Sequence, residues 1–243
     1  MPLSRKTFLT ATAAGASIAS LAPALADAAA PAAMPSDLRS AVHFHVLQPS
    51  EFDGAAMLQK LTVASDHKQV FQSVSPIVIV PGLASLYLHM QNSMNAYEFS
   101  LGLGKLSTLG VLIGPSIVFA LNDAMWTKYG IGKGMGEALG LAATNIYYTA
   151  TSKLDPKASP DDPNGMYQDW SAQAVMARGG QFFVCHNATT AIAFVLATKM
   201  GVDPKATLSE FEKNLLPGFQ MVPAGVGAMQ QAAENGWKSF TIV

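Results

Sequence analysis

At 243 residues the chain is long enough for one sizeable buried core, or for one domain carrying extensions. Half of its residues are apolar and only 13% are charged, which excludes intrinsic disorder and implies extensive burial. The net charge of −1 comes with no cluster of Lys and Arg, so DNA and RNA are set aside as partners.

Residues 1–26 read as an export leader. Arg5 and Lys6 form a basic start, Thr10 to Leu21 is a small-residue stretch, and Ala24-Leu25-Ala26 is a cleavage site before Asp27. Ser4-Arg5-Lys6-Thr7-Phe8-Leu9 is similar to a twin-arginine motif with Lys in the second place, an ordinary secretory leader being the alternative. Cleavage would take Arg5 and Lys6 away, move the net charge from −1 to −3, and deliver a periplasmic protein with no remaining membrane span. Residues 27–66 then divide into an Ala/Pro linker over 27–36 and an N-terminal arm, in which Phe52, Ala55, Ala56, Leu58 and Leu61 suit a short helix. His43 and His45 would share one face of a strand, but without further ligands nearby they read as surface histidines.

The main domain is expected over 67–243. Lys68 to Val74 alternates as a first strand, Pro76 and Pro81 break it, and Gly82 to Leu103 carries the apolar stripe of a long helix. Leu106 to Leu121 holds no charge, is too short to span a bilayer and is cut by Gly114-Pro115, so it reads as a buried strand, a turn and a second apolar segment. Asn122 to Tyr129 follows as a short helix or turn. A glycine-rich insertion over 130–165 lacks the strand and the acidic partner of a dinucleotide cradle and reads as a mobile cover or an oligomer contact. Met166 to Arg178 returns to helix.

Next comes the stretch that bears chemistry. Gln181 to Cys185 is a short apolar strand, and from Asn187, a good N-cap, a helix runs to Gly201 at its C′ position. Cys185, the only cysteine, falls at the handover, where unpaired N–H groups and the positive helix end favour an anion. A lone cysteine in an oxidising compartment closes no internal disulfide, so it is shielded, paired with another molecule, or kept for reaction. The plain alternatives are a buried structural Cys185 and a hydrogen-bonded packing role for His186.

Thr207-Leu-Ser-Glu210 has the form of a capping box opening a helix that Pro217-Gly218 closes. Phe219 to Val222 is a short strand, Pro223 suits the first position of a helix running to Asn235, and Gly236 suits its end. Trp237 to Val243 alternates as the last strand. Strand and helix thus alternate from Lys68 onward, which predicts an α/β fold with a doubly wound, mostly parallel sheet of about five strands.

Phe183-Val-Cys185-His-Asn-Ala188, Leu215-Leu-Pro-Gly218, Val222-Pro-Ala-Gly-Val226 and Glu234-Asn-Gly-Trp237 together resemble the DsrE/DsrF-like family, in particular its exported members of unassigned role. Asn122-Asp123-Ala-Met-Trp126 and Asn95-Ala-Tyr97 are similar to it as well. The resemblance spans Lys68 to Val243 and is strongest toward the C-terminus. It implies a three-layer α/β sandwich that assembles into homo-oligomers, and a cysteine at a strand end, here Cys185, that carries persulfide in some members during sulfur relay. Those relay members work in the cytoplasm with partner proteins, whereas this chain carries a leader, and its insertion is longer than a minimal domain needs.

Three functions follow. The first is a thiol or persulfide protein with Cys185 as nucleophile, Asn187 and backbone amides stabilising the anion, His186 or His67 as base, and a small sulfur compound or a thiol protein as partner. The second is a non-catalytic ligand-binding or scaffolding homo-oligomer using the crevice at the carboxyl ends of the strands. The third, a metal held by Cys185, His186 and His67 or His89, has no paired-ligand spacing behind it, and no cofactor is implied.

Overall fold

Five strands, all parallel, carry the fold of the computed structural model, which describes residues 42–80, 82–134 and 140–242. The expected leader, the Ala/Pro linker and Gly136 of the insertion lie outside the described residues. The strands are β1 (Lys68–Ser73), β4 (Ser107–Leu112), β5 (Gln181–Cys185), β6 (Phe219–Val222) and β7 (Lys238–Ile242), in the order β6-β5-β4-β1-β7. A separate antiparallel hairpin joins β2 (Val78–Val80) to β3 (Leu83–Ala84). The expected α/β fold with a doubly wound parallel sheet is therefore what the chain adopts.

Handedness explains which helices cover which face. The chain steps from β1 to β4, β5 and β6 in one direction, through α2 (Ser85–Asn95), a 3₁₀ segment (Gly114–Ala120), α3 (Asp123–Lys128), α4 (Ile131–Gly134), α5 (Ala172–Ala177), α6 (His186–Met200) and α7 (Pro204–Lys213). It then returns across the sheet to β7 through α8 (Gly225–Glu234). Right-handed crossovers that run in opposite directions must lie on opposite faces. Alternation along the strands builds the two cores accordingly. Phe71, Leu112, Phe182 and Val184 pack with Tyr87, Met90, Ile192 and Leu196. Val70, Val111, Phe183 and Val222 pack with Ala228 and Ala232 of α8 and with Leu61 of α1 (Gly54–Leu61), the helix of the N-terminal arm.

Two local features fix this packing. A Cβ at Gly110 of β4 would lie 2.7 Å from the Phe182 ring and 3.2 Å from Met90 Sδ, so only glycine lets both side chains close over the centre of the sheet. Trp237 donates its Nε1–H to Leu61 O at 2.9 Å, which pins the arm helix to the end of α8's connection.

Several expected helices have different ends. Gly82 adopts φ +88°, which turns Leu83-Ala84 into the hairpin, and the helix that follows relaxes into a π turn at Ala96–Ser100. Between Met166 and Arg178 the buried carboxylate of Asp169 accepts N–H groups from Thr151, Ser152 and Ser171, holding the backbone extended, so only Ala172–Ala177 is α-helical. Asp203 caps α7 and Pro204 takes its first position, which leaves Thr207 inside the helix with its hydroxyl on Asp203 O. The last helix starts at Gly225, two residues later than Pro223.

The described part of the insertion is tied into the core rather than held as a loose cover. Tyr147 is buried against Phe119 and Trp126, and Asn145 donates to Phe119 O and Leu121 O at 2.9 and 2.7 Å.

Candidate functional site

Cys185 closes β5 and is itself the N-cap of α6: its backbone is extended, and its sulfur accepts the Ala188 N–H at 3.4 Å. The expected cap, Asn187, lies two residues further on, half-buried in the first turn. The strand ends on the residue that caps the helix, so no linker separates them. Gly225, at the start of α8, shuts the other side. A Cβ there would stand 2.5 Å from Ile113 Cγ1 and 3.2 Å from Cys185 Cβ. Cys185 is consequently 5% exposed, sits in the larger apolar core, and lines neither of the two cavities described below.

His186 follows as the first residue of α6 and is also buried. Its Nε2 meets Glu212 Oε1 of α7 at 3.1 Å, while Nδ1 is buried with no hydrogen-bond partner among the described residues. In a neutral ring, donation from Nε2 to the carboxylate leaves Nδ1 as an acceptor. This fixes the orientation of the imidazole without supplying it a nucleophile.

The remaining histidines are elsewhere. His67 directly precedes β1, and through the parallel registers of β1, β4 and β5 it lies seven strand positions from the level of Cys185, about 23 Å along the sheet. The structure thus does not bring His67 to Cys185 as a base; its ring packs on Tyr97 instead. His89 packs on Phe240, and His45 pairs with Glu51 at 2.9 Å. Among the described residues no three His, Cys, Asp or Glu side chains gather as a metal ion requires.

Beside the sheet runs a groove of about 630 Å³, within the size range of small-molecule sites. Phe219, Gln220 and Met221 form its floor, His186 and Glu212 one wall, and Leu47, Glu51, Phe52, Asp53, Ala56 and Lys60 of the arm the other. Three consecutive residues of one strand face both sides of a sheet, so a groove touching all three must follow the strand's edge. That edge is open, because β6 has β5 as its single neighbour in the sheet. Gln220 Nε2 holds the arm in place by donating to Asp53 O at 3.0 Å.

Charge is unevenly spread along the groove. Glu51 is held below the usual carboxylate range by the Gln48 N–H and by His45, and so stays ionised. Lys60 is half-buried, its Nζ 5.7 Å from the centroid of the Phe183 ring, and burial pushes its ammonium below the usual lysine range. Among the described residues no carboxylate lies within 4 Å of it.

A smaller cavity of about 70 Å³ opens near the amino ends of the strands, between Met94, Tyr167 and Arg178. Arg178 there is an internal clamp, donating to Gln91 Oε1 and Asn95 Oδ1 at 2.6 Å and to Glu98 Oε2 at 3.0 Å, over the Tyr167 ring.

Glu212, Lys60, Glu51 and Gln220 carry no signal along the chain. Glu212 meets His186 across 26 positions, Lys60 meets the Phe183 ring across 123 and Gln220 meets Asp53 across 167, and only the folded edge of the sheet brings them together with Glu51. No helix among the described residues is long and apolar enough to cross a membrane. No family model, no curated protein and no solved structure matches the chain.

Proposed function

We propose that this chain is an exported, periplasmic DsrE-like protein that binds a small ligand non-covalently in the groove beside β6, working as a homo-oligomer. The observation that supports this reading is the separation of sulfur from open space. Cys185 is buried as the cap of α6 and stands outside the groove, whereas His186, one residue on, lines it. Binding needs an accessible concave surface with a few placed polar groups, and the groove supplies both. The test is a fragment screen by nuclear magnetic resonance on the full chain and on Cys185→Ala. Ligands that shift His186 and Phe219 to Met221 with equal affinity in both proteins support the reading. Ligands whose binding vanishes with the sulfur overturn it.

One observation favours a second reading, sulfur relay through Cys185. The Ala188 N–H points at the sulfur from the start of a fifteen-residue helix, so a hydrogen-bond donor stands beside the atom that would carry the second sulfur. Freshly isolated protein would then carry a mass gain of about 32 Da on the Cys185 peptide, lost on reduction. A sulfur that is never loaded and does not react with thiol probes while the protein is folded sinks this second reading.

A further inference from the structure

We infer that the groove beside β6 takes a short linear peptide with free termini, about three residues long, lying antiparallel to β6 with its ammonium toward Glu51 and Glu212 and its carboxylate toward Lys60. The inference rests on the ligand-binding reading above and names its ligand class.

The edge comes first. A parallel strand bonded on one side turns the N–H and C=O groups of alternate residues away from its partner, and an added strand is what such an edge recognises. β6 is bonded to β5 alone in the sheet, and the groove follows its Phe219-Gln220-Met221 segment. Phe219, Met221, Phe52 and Leu47 line the groove with apolar surface, which small apolar side chains alternating along an added strand would meet.

Charge then sets length and direction. Glu51 and Asp53 stand at the start of α1 and Lys60 in its last turn, seven residues beyond Asp53, which separates them by about 10 Å of helix rise. An extended peptide of about three residues spans the same distance. The acidic end lies at the carboxyl end of β6, because Glu212 holds His186, which directly follows Cys185, the residue level with Val222. Lys60 lies at the amino end, since its carbonyl accepts from Gln181, one residue before the partner of Phe219. A peptide whose ammonium meets the carboxylates and whose carboxylate meets Lys60 therefore runs against β6.

The polar groups have capacity for it. Glu51 already accepts from Gln48 N at 2.6 Å and from His45, and Glu212 accepts from His186, yet each carboxylate has further lone pairs to offer. Lys60, with no carboxylate beside it among the described residues, gains most from an arriving carboxylate.

The test titrates the full chain at low salt with trialanine, N-acetyl-trialanine, trialanine amide and single alanine, reading backbone resonances. Trialanine is expected to shift Phe219 to Met221 and Lys60, and either cap, or shortening to alanine, to weaken binding at least tenfold. In Lys60→Met, acid and amide should bind alike while the acetyl cap still weakens binding; in Glu212→Gln the acetyl penalty should shrink instead. Capped and free peptides that bind equally overturn the peptide assignment while leaving a groove that binds ligand. Peptides that leave these resonances unmoved, beside fragments that move them, overturn it as well. If fragments also fail, the ligand-binding reading falls with it.

Discussion

Ala188 donates its backbone N–H to the sulfur of Cys185 at 3.4 Å, so the single cysteine of the chain is the cap of the helix that follows it. A thiol rarely fills this role, because its sulfur accepts weakly compared with the oxygen of Ser or Asp. Cys185→Ser is therefore expected to keep the cap, and Cys185→Ala to lose at most about 0.5 kcal/mol from so weak a cap, with a larger contribution from the cavity left in a 5%-exposed site. Urea unfolding of the two variants measures the difference. The same burial predicts that a thiol probe reacts on the order of a hundredfold slower with the native protein than with the denatured chain, as local opening limits access.

Arg178 predicts a large effect away from the groove. Its side chain is 4% exposed and holds Gln91, Asn95 and Glu98 of one helical segment against Tyr167, two residues after the insertion. Replacing it with Met leaves Glu98 and two amides without their donor; with Glu98 28% exposed and able to rehydrate, the loss is about 1–3 kcal/mol. Lysine does not restore the fork, since one ammonium cannot match the planar spread of contacts. Both variants should show a lower urea midpoint with an unchanged slope. A midpoint within experimental error of the wild type would contradict the clamp.

Much of the sheet is readable along the chain. Phe182 to Cys185 and Leu109 to Leu112 are continuous runs without a polar side chain, and Gly201 and Gly236, at φ +68° and +83°, stop their helices where an αL residue is required. The helix starts are less readable, because several candidates compete within a few residues. Asn187 is the better cap by type but Cys185 holds the position, and Thr207-Glu210 has the right spacing but Asp203-Pro204 starts the helix first. The groove is not readable at all. Gln220 meets Asp53 across 167 positions, and no local pattern marks Lys60 as the residue of α1 that lands beside the Phe183 ring.

Asp169 gives the protein an acid-sensitive joint. Burial works against its charge, but N–H donors from Ser152 and Thr151, with Ser171, outweigh it and hold the carboxyl below its ordinary value. A carboxyl depressed on folding makes the unfolded chain bind more protons, so its stabilisation is full above the unfolded value and disappears as pH falls through the folded one. Stability measured from pH 5 downward should decline more steeply in the wild type than in Asp169→Asn. The variant itself should be less stable at neutral pH by about 1–3 kcal/mol, the cost of unsatisfied buried donors. Parallel curves would show that Asp169 does not titrate with folding.

Lys60 costs stability when ionised, where Asp169 contributes it, although both pKa values fall on folding. Burial lowers the pKa of its ammonium on folding, so the unfolded chain again holds more protons, now between the depressed value and the ordinary lysine value near 10.4. Below that window the folded protein bears the cost of a half-desolvated cation. Within it, the cost diminishes as pH rises. Lys60→Met should therefore be at least as stable as the wild type at neutral pH, with its methyl end packing on Phe183. The stability difference between the two proteins should narrow as the pH is raised toward 10, where other groups cancel in the comparison. Calorimetric unfolding of both proteins across that range checks this. A wild type that instead loses ground to the variant as pH rises would mean that Lys60 has an anionic partner in solution and that the cationic end of the groove is already occupied.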